Sequence, residues 1–186
     1  MSVRRIYVEK KPEYAVRAGE LFEDIKTYLG ISGIARVRVL VRYDIENIED
    51  STYAKARGTI FSEPPLDELY EETFPKEAGD TVFSAEYLPG QFDQRADSAV
   101  QCVQLIDKDA APVIRTATTY VLSGKLSAQE IEAVKHFCIN PVDSRECAEE
   151  KPETLTQNYP APDDVKTVEG FTAMPEDDFR ALYASF

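Results

Sequence analysis

The strongest pattern in the chain lies between residues 36 and 45. Val37, Val39, Val41, Tyr43 and Ile45 alternate there with Arg36, Arg38, Leu40, Arg42 and Asp44. Apolar residues at every second position predict a β-strand with one buried face, and the charged alternates predict that the other face is wet. A shorter signal, Ile6-Tyr7-Val8 within residues 4–10, predicts an earlier strand. Between the two, after Pro12, Ala15, Ala18, Leu21, Phe22, Ile25 and Leu29 recur at helical spacing, and Gly30 and Gly33 close that helix. A second helical segment is expected from Ser51 to Phe61. Glu63-Pro64-Pro65 stops it, and Leu66 to Phe74 follows as an edge strand.

The same order then recurs. Thr81 to Tyr87 reads as a strand and Pro89-Gly90 as a turn. Ala96, Ala99, Val100, Val103 and Ile106 form a helical stripe, and the Thr- and Val-rich run Val113 to Leu122 is a strand. Ser127-Ala128-Gln129-Glu130 is a capping box that opens a helix with the stripe Ile131, Val134, Phe137 and Cys138, and Asn140-Pro141 stops it. Ser51 and Ser127, Phe61 and Phe137, Pro65 and Pro141, and Ile6 and Val82 are all 76 positions apart, and Tyr43 and Tyr120 are 77 apart. A near-constant offset through strand, helix and turn predicts a tandem duplication of a β-α-β-α-β unit. The expected fold class is therefore α+β of ferredoxin-like character, with helices packed on a mainly antiparallel sheet and a pseudo-two-fold relation between repeats. The repeats are expected at 1–76 and 77–151. A unit this small leaves an edge or face uncovered, which its twin would cover.

From 152 to 186 the character changes. Pro152, Pro160, Pro162 and Pro175 alternate with acidic residues, as in a surface linker. A final helix is expected from Pro175, with Glu176, Asp177 and Asp178 at its positive end and Phe179, Leu182, Tyr183 and Phe186 on its apolar face. A helix that stops on an aromatic predicts a chain that continues in the parent protein.

The chain has 186 residues and a net charge of −13. Phosphate backbones and anionic bilayers both select for Lys and Arg, so this balance argues against nucleic acid and membrane surfaces as partners. Three cysteines without a CxxC, no sequon and no apolar leader point to a cytoplasmic setting.

Candidate chemistry is sparse. His136 is the sole histidine and sits beside an apolar stripe, as a helix-surface residue would. Cys102 and Cys138 fall in helical stripes and read as small core hydrophobes, whereas Cys147 is on a strand. One histidine and scattered cysteines give no zinc ligand set. Glu71-Glu72 and Glu149-Glu150 follow the repeated turns, but neighbours in a strand point to opposite faces and cannot share a site. The turn Pro89 to Ser98 is more polar than a turn requires. Gln91, Asp93, Arg95 and Ser98 are its candidate interface or ligand residues, with Arg95 suited to a carboxylate or phosphate and the following helix start suited to an anion.

Two of these stretches carry a family resemblance. Tyr87-Leu88-Pro89-Gly90-Gln91-Phe92-Asp93-Gln94-Arg95-Ala96-Asp97-Ser98 and Asn140-Pro141-Val142-Asp143-Ser144-Arg145-Glu146 resemble the N-terminal region of long-type phosphoribosylformylglycinamidine synthase. Phe61 to Asp67 and Ile139 to Glu146 also resemble the turn segment of its small PurS subunit. The resemblance covers about residues 1–150, and Val168 to Met174 looks like the start of the linker that follows. It implies a PurS-like domain in which two repeats mimic a PurS dimer. It further implies a non-catalytic assembly role, bridging the synthetase and glutaminase domains of one polypeptide. That enzyme uses ATP, Mg and glutamine to amidate formylglycinamide ribonucleotide in purine biosynthesis. Its catalytic and cofactor residues lie elsewhere in the family, so no catalytic, cofactor or metal residue is expected here. A reading of another class is a free-standing ferredoxin-like regulatory module that binds a small molecule between its repeats.

Overall fold

The computed structural model describes residues 2–156, 161–162, 164–165 and 167–185. Six strands form one antiparallel sheet: β1 (Arg4–Lys10), β2 (Ile34–Glu46), β3 (Asp67–Glu71), β4 (Thr81–Tyr87), β5 (Val113–Gly124) and β6 (Ser144–Cys147), in the order β3-β1-β2-β5-β4-β6. Five α-helices accompany them among the described residues: α1 (Val16–Glu23), α2 (Asp50–Ala56), α3 (Gln94–Ile106), α4 (Ala128–Cys138) and α5 (Glu176–Tyr183). The fold class is thus α+β. The first two helices end in a wider π-type turn, Asp24–Tyr28 and Arg57–Phe61. No helix among the described residues is long and apolar enough to cross a membrane.

The strand pairing repeats at a spacing of 77, not 76. Adding 77 to each member of the Ile6–Tyr43 pair gives Phe83–Tyr120, which is a pair between β4 and β5. The Tyr7–Tyr70 pair gives Ser84–Cys147, between β4 and β6. The turns agree: Leu66 and Asp67 donate to the Glu63 carbonyl as Asp143 and Ser144 donate to that of Asn140. Pro64 therefore corresponds to Pro141, and Ile6 to Phe83. The adjacent prolines at 64 and 65 let the sequence slide by one position. The ladder between β2 and β5 joins the halves, with Val41 opposite Thr118 near its middle. Gly33 and Gly124 close one end of it. A Cβ on Gly33 would sit 2.2 Å from the Lys125 carbonyl oxygen, and Gly124 has φ +146°.

All four helices of the repeats lie over one sheet face, in mixed pairs. One apolar cluster joins Ile6, Tyr43, Ala56 and Phe61 to Ala96, Ala99 and Val103 of α3 and to Ile114. The other joins Leu21, Ile25 and Val37 to Phe83, Tyr120, Leu122 and Val134 of α4. Each core takes helices from both halves. Cys138 packs against the second cluster, but Cys102 is exposed, contrary to the expectation from its stripe. Position 102 lies on the solvent side of α3, whose buried residues are Ala96, Ala99 and Val103. Phe137 is likewise 41 % exposed.

The opposite face corrects a second expectation. Among the charged alternates of β2, Arg36 is exposed as expected, but Arg38, Arg42, Asp44 and Glu46 are buried, as is Arg5 of β1. Two irregular segments cross this face, one after each edge strand. Four arginines pin them by donating to main-chain carbonyls: Arg38 to Pro75, Arg42 to Ala148, Arg5 to Glu149 and Arg115 to Leu155. Arg38 and Arg115 are 77 apart, and each holds the segment that follows its own half. Phe74 and Leu155 supply the apolar cover. Residues 152–156 therefore belong with the sheet and not to a linker; the first compact unit ends at Thr156.

The second unit covers 157–186. Its Phe171–Phe179 contact, with ring centroids 5.7 Å apart, and the Glu176–Arg180 ion pair stabilise the start of α5. The expected linker and helix-face residues Pro160, Asp163 and Phe186 lie outside the described residues.

Candidate functional site

Gly90 has φ +90°, and the Gln91 N–H donates to the Leu88 carbonyl at 3.0 Å, which folds the turn after β4 tightly. Asp93 then caps α3 by accepting from the Ala96 N–H at 2.9 Å. Its other oxygen accepts from the Thr116 N–H, also at 2.9 Å, and the Thr116 hydroxyl bonds the same carboxylate. Asp93 is thus engaged in closing the fold. Gln91, Arg95 and Ser98 are exposed, beside Phe92, which is 69 % exposed. Of the four candidates, these three point outward and one is structural.

A cleft of about 890 Å³ lies beside β2. It opens where two strands part. β1 pairs with β2 only as far as Glu9–Leu40, whereas β2 runs back to Ile34 against β5. Every second residue of that stretch turns its N–H and C=O away from β5. Val37, Val39, Val41 and Tyr43 line the cleft from the sheet, with Ala18 and Phe22 from the first helix and Phe61 after the second. Val39 and Val41 are half-buried although they stand in a central strand. Arg17 and Arg95 also line it. Arg17 donates to the Tyr120 hydroxyl at 3.2 Å, and Arg95 has no ion-pair partner among the described residues. The cleft unites Arg95, which the sequence singled out, with a wall that it did not, because the cleft depends on where a ladder ends.

The remaining reactive groups are quiet. Burial pushes the Cys138 thiol up to about 11. Burial likewise raises the Cys147 thiol, against the nearby Arg42 guanidinium, so neither is primed as a nucleophile. His136 is exposed on α4. Burial, helped by the Glu71 carboxylate, lifts the Tyr53 hydroxyl to about 12. Glu72 pairs with Lys151, whereas Glu149 accepts from the Ser84 hydroxyl. Glu71 pairs with Arg57, so these three carboxylates are engaged separately. Among the described residues no three His, Cys, Asp or Glu side chains gather as a metal site. Compared with known proteins, the chain matches no family model and no curated protein sequence.

Proposed function

We propose that this chain is a PurS-like assembly module of the phosphoribosylformylglycinamidine synthase type, built from two copies of a β-α-β-α-β unit that stand in for the two subunits of a dimer. The observation that carries the reading is the recurrence of the within-half strand registers at a spacing of 77 on either side of a central antiparallel ladder. The motif resemblance at Tyr87–Ser98 and Asn140–Glu146 supplies the family. In this reading the chain contributes no catalytic group. ATP, Mg and glutamine are handled by the synthetase and glutaminase domains of the same polypeptide, in the cytoplasm. The module holds those two sites in register, so that ammonia released at one reaches the other without loss to water. The outward-facing turn of Gln91, Phe92, Arg95 and Ser98 is the proposed contact with one of them.

The test is Arg95→Glu in the full enzyme. Glutamine-dependent kcat/KM is expected to fall about tenfold, which corresponds to ~1.4 kcal/mol of lost coupling, while ammonia-dependent turnover changes less than about twofold. Equal losses with both nitrogen sources, or no loss with either, would count against the assignment.

A further inference from the structure

The repeat makes the strands of the two halves comparable, and where the ladders end the halves differ. In the second half the ladder between β4 and β5 ends at Glu86–Ala117, and the next residue of β5, Thr116, gives its N–H to the Asp93 carboxylate. In the first half the ladder between β1 and β2 ends at the equivalent pair, Glu9–Leu40, and the next residue of β2 is Val39. Through the first helix of each half the spacing is 78, so the position equivalent to the N-cap Asp93 is the N-cap Ala15, which lines the cleft and offers no side-chain acceptor. Among the described residues no side chain accepts the Val39 N–H. Where Asp93 closes the second half, the first half has the cleft.

The surroundings suit a carboxylate. Seven cationic and five acidic side chains line the cleft, in a chain whose net charge is −13. Three of the acidic groups, Glu9, Asp67 and Glu77, are already held by Arg38, Lys10 and Arg36. Glu63 and Glu68 are exposed. Arg17 and Arg95 have no carboxylate partner among the described residues. The valine and tyrosine wall supplies an apolar seat, and the volume falls within the range of small-molecule sites.

We propose that this cleft binds a small organic carboxylate with an apolar or aromatic body. The ligand carboxylate takes the place in the first half that Asp93 fills in the second, on the Val39 N–H with Arg17 and Arg95 alongside. Its body rests on Val37, Val41 and Tyr43. The inference stands on the isolated chain and does not depend on the enzyme assignment.

The probe is 4-phenylbutyrate, titrated into the 15N-labelled chain. The Val39 amide resonance is expected to move downfield saturably, and methyl 4-phenylbutyrate, with the same body and no carboxylate, to bind at least tenfold more weakly. Ala15→Asp installs the missing internal carboxylate at the N-cap position and is expected to abolish the shift while the rest of the spectrum is preserved. Arg17→Glu, read independently, is expected to weaken binding at least tenfold. A stationary Val39 amide, equal binding of acid and ester, or unchanged affinity in either variant would overturn the proposal.

Discussion

Asp93 gives its two oxygens to a helix end and to a strand 23 positions later in the chain. Losing the cap costs about 1 kcal/mol, and leaving the half-buried Thr116 N–H without its acceptor costs a further ~1 kcal/mol or more. Asp93→Ala should therefore destabilise the chain by about 2 kcal/mol. Asp93→Asn, which keeps an acceptor for one donor, should lose less than half of that. Urea unfolding checks this through a lower midpoint at unchanged slope; an unmoved midpoint for Asp93→Ala would mean that neither bond contributes. Sequence reasoning placed Asp93 among the interface or ligand residues and missed the cap, although an aspartate three residues before Ala96 is an ordinary helix start. The bond to Thr116 was not legible, because nothing local in the sequence links the two positions. Cys102 failed for a related reason. Its neighbours Ala99 and Val103 face the core, but position 102 points away from it.

At the scale of elements, the two segments that cross the polar face decide what the arginines do. Alternation correctly located β2, and it correctly separated an apolar set from a charged set. Beyond Arg36 it misjudged the charged set because the cover comes from stretches without any periodicity, around Phe74 and from Ala148 to Leu155. Beneath them Arg5 and Asp44 form a bidentate pair with side chains only 2 % and 6 % exposed, at 2.6 and 2.8 Å. Arg42 is buried beside it, with its Nε lacking a hydrogen-bond acceptor and 3.4 Å from the same carboxylate. One aspartate thus offsets two guanidinium charges. A pair this deep gains little net stability when formed, since desolvation offsets the attraction, but breaking it strands charge in the interior. Asp44→Ala is therefore expected to cost about 3–5 kcal/mol and to expose the Ala148–Leu155 segment to limited proteolysis before global unfolding. Wild-type cleavage kinetics together with a full loss of stability would separate a merely local role for the aspartate from the pinning described above.

For the whole molecule, the element order and the repeat could be read from the sequence. The one-residue slip at the paired prolines and the parting of β1 from β2 could not, since both depend on which residues hydrogen-bond across strands. The mixing of helices between the halves also left no trace in the sequence. It has a thermodynamic consequence. Neither half owns a core: Phe61 and Tyr43 are buried against Ala99 and Val103, and Leu21 and Ile25 share their cluster with Phe83 and Val134. Opening either half would expose apolar surface of both, and would also break the long β2–β5 ladder. Residues 2–156 should then unfold as one cooperative unit despite their two-fold construction. Native-state hydrogen exchange tests this directly, because amides limited by global opening share one free energy and one denaturant slope. The amides of Tyr43 and Tyr120 are the informative pair, each in the middle of its own half and 77 residues apart. They should converge on the same opening free energy. A difference larger than about 1.4 kcal/mol, tenfold in protection, would show that one repeat opens while the other stays folded, and that the shared cores do not couple them.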